Sequence, residues 1–140
     1  PKPQNPTIQL LLNMSNIQLP TGFKLEDGVV YGSRVPGLFE IKIHRPQARN
    51  ATNGAATSKM KDLWIAVSED PTIKLVVIHG GKFFSAGNDL MALVGAVSGD
   101  KENHKAIAAH ATSELQKMLI AMQTCKKPTM AIVRGGCHGI

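Results

Sequence analysis

Two stretches of the sequence join an apolar, β-branched run to an abrupt cluster of glycines. One reads Val77-Ile78-His79-Gly80-Gly81-Lys82-Phe83-Phe84-Ser85-Ala86-Gly87-Asn88-Asp89-Leu90. The other reads Pro128-Thr129-Met130-Ala131-Ile132-Val133-Arg134-Gly135-Gly136-Cys137-His138-Gly139-Ile140. If both runs are strands of one parallel sheet, both clusters open at its carboxyl edge, where ligands collect. Glycine lets backbone N–H groups approach a ligand closely, and a helix that follows points further N–H groups outward. Two such loops side by side aim two amides at one carbonyl oxygen, which is an oxyanion hole; losing one donor of such a hole costs about 3–4 kcal/mol of transition-state stabilisation. Taken singly, each cluster also suits a plain tight turn between strand and helix. The spacing Gly80-Gly81 with Gly87 matches neither a Walker A loop nor a dinucleotide fingerprint.

Other reactive side chains have plainer readings. Asp89 stands just before an apolar helical segment, where an N-cap role outweighs a role as general base. His138 lies in the second glycine cluster and titrates near neutrality, so an acid–base role competes with a structural one. His79, His104 and His110 read as core or surface residues, Trp64 as core, and the Met118/Met122 pair as core rather than a lipid-binding surface. Cys125 and Cys137 lack any zinc-ligand spacing, so no metal site is expected; they read as reduced thiols of an intracellular protein.

The elements that must hold these loops follow from periodicity. Residues 1–27 read as an N-terminal extension holding at most one short strand or helix, and residues 28–140 as one domain. Residues 29–31 and 38–44 are expected strands, separated by a Pro-Gly turn over 33–37. Phe39, Ile41 and Ile43 alternate with Glu40, Lys42 and His44, as in a half-buried strand. Thr52 or Asn53 caps a helix to about residue 68, with Ala56, Met60, Leu63 and Val67 on one face. Residues 74–79 suit a strand buried on both faces, and a short helix is expected over 90–97. A long helix over 102–124 carries Ile107, Ala111, Leu115, Met118 and Met122 as its inner stripe. Residues 129–133 form another buried strand. The alternation of strands and helices is that of an α/β domain with parallel pairing. A strand followed by a glycine turn calls for a helix where the sequence stops, so the chain is expected to be the N-terminal part of a longer protein.

Composition narrows the partner. The 140 residues are 43% apolar and 19% charged, which excludes disorder and coiled coil, and no apolar run approaches the ~18 residues of a membrane span. Residues 8–12 make too short an apolar run for a signal peptide, and the absence of an initiator Met suggests that the true N-terminus has been removed. The net charge of +6 is concentrated. Lys42, Arg45, Arg49, Lys59 and Lys61 lie between Glu40 and Asp62 with no acid among them, and only cations follow Glu114. The few aromatic residues do not interleave with these cations as a nucleic-acid stacking platform would need. A compact anion of a few phosphates fits better, and no nucleic-acid partner is expected.

Three segments, in order and at matching spacing over about residues 28–140, resemble the crotonase superfamily, the enoyl-CoA hydratase/isomerase family. Phe84-Ser85-Ala86-Gly87-Asn88-Asp89-Leu90 is similar to its FxAGxDL segment. His44-Arg45-Pro46-Gln47-Ala48-Arg49-Asn50-Ala51 is similar to NRPxxxNA, and Lys127-Pro128 with Gly135 and Gly139 to KPxxAxVxGxxxG. His44 and Arg134 stand where the family usually has Asn. The detail of the first segment and the Gly-Ile ending look most like Δ3,Δ2-enoyl-CoA isomerases of the peroxisomal type.

The resemblance implies an α/β, crotonase-like ββα spiral domain, truncated before its C-terminal helices. It implies that the N–H groups of Asn88 and Ile140 are the catalytic donors to a thioester oxygen. Asn50, Ala51, Ala86, Gly87, Asn88, Asp89, Leu90 and Gly139 would then line the path of coenzyme A, with Arg45 and Arg49 near its phosphates. The substrate is a fatty acyl-CoA thioester, with coenzyme A part of the substrate and no separate cofactor. The family's general base is a glutamate placed after residue 140, so this segment alone is expected to be inactive. A homotrimer or hexamer in the peroxisome or mitochondrial matrix is implied for the full-length protein. The expected reaction moves a double bond from position 3 to position 2; hydration of a 2-enoyl-CoA, a catalytically silent CoA-binding member and, from a third class, a basic RNA-binding module are the rivals.

Overall fold

The computed structural model describes residues 18–99 and 103–139. Five strands form one sheet in the order β1-β2-β3-β4-β5: β1 Lys24–Glu26, β2 Val29–Val35, β3 Leu38–Ile43, β4 Leu75–His79 and β5 Thr129–Ile132. The first three pair antiparallel and the last three parallel. Helices α1 Gly54–Glu69, α2 Leu90–Gly99 and α3 His104–Gln123 connect the parallel strands, the mixed α/β order expected from the sequence.

Turn chemistry sets the antiparallel half. Asp27 and Gly28 both have positive φ, 53° and 78°, between Glu26 and Val29, which pair. That is the two-residue turn whose twist suits a hairpin, so the strand before the expected boundary at residue 28 is part of the sheet. The turn expected over 33–37 is tighter than that. Pro36 and Gly37, with Gly37 at φ 84°, connect Val35 to its partner Leu38. Pro-Gly completes a turn with two central residues, and Ser33, Arg34 and Val35 therefore extend β2, with a register shift between Ser33 and Val35.

Helix α1 begins where the cap signal placed it: the Asn53 side chain accepts the Ala56 N–H at 3.0 Å. Ala56, Met60, Leu63 and Val67 are buried, joined by Thr57 and by Trp64, which is only 1% exposed. They face Val29, Ile41, Ile43 and Val76 of the sheet in one core that Met118 of α3 completes. Each fully buried Val, Leu, Ile or Met side chain among them stabilises the fold by about 1.5–3 kcal/mol.

Two burial expectations fail. Ala111 is exposed, because the part of α3 that reaches the core begins at Leu115. Strand β5 is exposed along its length. A parallel strand is buried only when a layer covers each face, and the described residues place none over β5. Its partner β4 is buried at Val76 and Val77 and half-buried at its ends.

Candidate active site

The parallel register sends the chain out of β3, β4 and β5 at the same sheet edge. The three exits are loop 1 (residues 44–53), loop 2 (80–89) and loop 3 (133–139), and they are laced together in that order. On one side of loop 2, the Ala86 N–H donates to Arg49 O at 3.0 Å, the Thr52 N–H to Gly87 O at 2.8 Å and the Asp89 N–H to Thr52 O at 2.9 Å. On the other side, the Phe84 and Ser85 N–H groups donate to Gly136 O at 3.1 and 3.2 Å, and the His138 N–H donates to Ser85 O at 2.9 Å. Loop 2 thus runs as an extended ribbon between its neighbours.

Asn50 anchors the first seam. It is buried, and its Nδ2 donates to Gly80 O at 2.8 Å and Phe83 O at 2.6 Å while its Oδ1 accepts the Arg45 N–H at 2.9 Å. Arg49 and Asn50 both sit in the left-handed region, φ 47° and 57°, which non-glycine residues hold only where surrounding contacts dictate it.

Arg45 faces inward. Its guanidinium donates to Ala51 O and, at 2.8 Å, to Asp89 Oδ2, in a pair whose side chains are 13% and 14% exposed. Gly28 makes room for its stem: a Cβ there would stand 2.6 Å from Arg45 Cγ. The other Asp89 oxygen accepts the Ala92 N–H at 3.1 Å and caps α2, the role read from the sequence. The Arg45 guanidinium, followed by that cap bond, holds the Asp89 carboxyl below the ordinary aspartate range, so Asp89 is a poor proton acceptor.

One amide in this ribbon is left over. Gly87 C=O is turned to Thr52, and because a trans peptide is planar the Asn88 N–H on the same unit points the opposite way. That is the side on which loop 3 runs, and among the described residues this N–H has no backbone partner. Asn88 itself is exposed. The two glycine loops meet here: with φ at 88°, a Cβ on Gly87 would stand 2.2 Å from Gly139 O, so only glycine lets the backbones approach this closely. Ile140, expected to carry the second donor, lies outside the described residues.

The remaining expected residues are placed as follows. Ala51 is buried, Ala86 half-buried, and Arg49, Leu90 and Gly139 exposed. Among the described residues the Arg49 guanidinium forms no ion pair. His138 is exposed, with its ring tilted against Phe83 at 6.2 Å between centroids. No group of three or more His, Cys, Asp or Glu that could hold a metal ion occurs among the described residues, nor a helix long and apolar enough to cross a membrane.

Sequence reasoning gave Ser85 and Thr52 no part in the site beyond a motif letter and an alternative cap. Both are buried and both hold loop 2. A small polar residue two places before a glycine was the only signal. A second feature, on the other sheet face, is a groove of about 260 Å³ lined by residues that include Glu40, His79 and Arg134. Glu40 is held there by Arg34 at 2.7 Å, which lowers its pKa, while burial lowers that of His79.

The model of the family described as "Enoyl-CoA hydratase/isomerase" matches residues 34–140. The mitochondrial Delta(3,5)-Delta(2,4)-dienoyl-CoA isomerase of Mus musculus is 32% identical over 107 residues, covering 73% of this chain and 33% of the relative. The crotonyl-CoA hydratase of Syntrophomonas wolfei is 33% identical over 105 residues, covering 73% and 37%. The chain therefore spans about a third of the length of the curated relatives it matches. A solved enoyl-CoA hydratase/isomerase from Mycobacterium paratuberculosis superposes with a TM-score of 0.63 at 27% identity, covering 85% of this chain and 43% of that one. An enoyl-CoA hydratase/carnithine racemase from Magnetospirillum magneticum, at 22% identity and a TM-score of 0.69 over 84% of this chain and 42% of its own, shares the fold.

Proposed function

The chain belongs to the enoyl-CoA hydratase/isomerase family, and from that premise we propose that it supplies the thioester-activating half of an enzyme that moves a fatty acyl-CoA double bond from position 3 to position 2. The observation that carries this reading is the Asn88 N–H, left without a backbone partner among the described residues where Gly87 meets Gly139. In the proposed mechanism the Asn88 and Ile140 amides grip the thioester oxygen. A carboxylate outside the described residues takes the proton from the carbon next to the thioester, and the electrons spread onto the oxygen and along the former 3,4 double bond. Return of a proton at carbon 4 leaves the double bond at position 2. Asp89 is not that carboxylate, because its oxygens are committed to Arg45 and the α2 cap. One preorganised donor contributes about 10²–10³ in rate.

Coenzyme A would run past loops 1 and 2. Arg49 is the exposed arginine of that stretch and is the proposed phosphate contact; Arg45 acts one step behind, as a strut under α2. Hydration is the second reading, favoured by relatives named hydratases. A mitochondrial setting follows the name of the mouse relative, with the peroxisome as the other organelle, and a homotrimer or hexamer is the proposed assembly.

The test is to express the complete reading frame and incubate the protein with 3-enoyl-CoA and, separately, 2-enoyl-CoA in heavy water. An isomeric product carrying deuterium supports isomerisation. A product heavier by one water supports hydration. Tight thioester binding with neither product identifies a silent member, and RNA binding with no competition by coenzyme A overturns the reading.

A further inference from the structure

We infer that the Ser85 hydroxyl is a positioning group that aims the Asn88 amide; the inference rests on the oxyanion-hole reading above. Ser85 is 1% exposed, and a hydroxyl is costly at such a place unless its hydrogen bonds are made. Here both directions are used: Oγ donates to Asn50 O at 2.9 Å and accepts the Gly87 N–H at 3.0 Å. The Ser85 backbone is tied to loop 3 through Gly136 O and the His138 N–H. One residue therefore fastens all three loops, and its side chain does so at the peptide that precedes the proposed donor.

The geometric consequence falls on Gly87. With φ at 88°, this glycine occupies a region from which its backbone rotates easily. Two anchors stop it: Ser85 Oγ on its N–H, and the Thr52 N–H on its C=O at 2.8 Å. Both ends of the residue being held, the next peptide plane has one orientation, and the Asn88 N–H keeps facing loop 3. Without the hydroxyl the Gly87 N–H loses its partner and the orientation rests on the Thr52 contacts to Gly87 O alone, which leaves the Asn88 N–H less tightly aimed. Ser85 touches no substrate in this account; it acts through Asn88.

Ser85→Ala and Ser85→Cys, made in the complete reading frame, test this with 3-enoyl-CoA turnover and the infrared carbonyl band of bound acyl-CoA thioester. Ser85→Ala is expected to lower kcat about 30- to 100-fold with KM within about twofold, because a transition-state contact is lost rather than ground-state binding. The bound carbonyl band should move back toward its position in water. Ser85→Cys, with a weaker donor and acceptor, should fall between, and it decides the matter by the same criteria if Ser85→Ala does not fold. Folded variants with wild-type kcat overturn the inference, as does a loss that only tracks the unfolded fraction while the carbonyl band stays put. A wild-type protein that neither turns over the thioester nor shifts its carbonyl band instead overturns the oxyanion reading, and this inference with it.

Discussion

A single methyl group at Gly87 probes the proposed hole most directly. In Gly87→Ala the new Cβ would lie 2.2 Å from Gly139 O and 3.3 Å from His138 O, where ordinary contact begins at 3.4 Å. Both obstacles are backbone atoms, so the cheap escape of a rotating side chain is missing, and loops 2 and 3 must part by roughly 1 Å. A misplacement of about 1 Å in a reacting geometry costs on the order of 10²-fold in rate, or about 2.7 kcal/mol of barrier. The positive φ adds about 1–3 kcal/mol of backbone strain to the folded state, which appears as a lower Tm. The assay is kcat/KM on 3-enoyl-CoA for the protein from its complete reading frame, normalised to folded protein by circular dichroism, beside the Kd for free coenzyme A. The rate should fall while coenzyme A affinity holds, since the methyl intrudes at the thioester end of the proposed path. A folded Gly87→Ala enzyme within about threefold of wild type in kcat/KM would refute the reasoning, because the barrier difference would then be under about 0.7 kcal/mol.

Two further variants test the scaffold behind the hole. Asn50→Ala strips the partners from Gly80 O, Phe83 O and the Arg45 N–H; a loss of about 3 kcal/mol in urea unfolding is expected, and a loss below about 1 kcal/mol contradicts the role given to this side chain. Asp89→Asn addresses charge. The Arg45 guanidinium keeps the folded carboxyl below its ordinary value, so the ion pair stabilises fully above the unfolded pKa of about 3.9 and fades as pH falls toward the folded pKa. The Tm gap between wild type and Asp89→Asn should be open at neutral pH and close below about pH 4; a gap independent of pH counts against the pair.

Short-range rules carried the sequence reading a long way. Apolar alternation in β3, the Asn53 cap and four-three-four spacing of α1, and the Asp89 cap of α2 all depend on residues a few positions apart. The same kind of rule holds at Asp27-Gly28, a dipeptide that is a hairpin signal and that joins β1 to β2. The order of strands and helices implied a parallel sheet, and with it that the two glycine loops share an edge.

What only the tertiary structure decided is where the polar groups of those loops go. Arg45 reads as a free cation in an acid-free stretch, yet its partner Asp89 lies 44 residues away. Asn50 meets carbonyls 30 and 33 residues on, and Ser85 meets Asn50 across 35. Local pattern has no access to such pairs, because a polar group finds its partner only after the sheet has closed the loops onto one another and removed water from between them. The exposure of β5 has the same origin. Its apolar residues specify a strand that prefers cover, but whether cover arrives depends on which other elements fold over it, and periodicity along one strand holds no information about that.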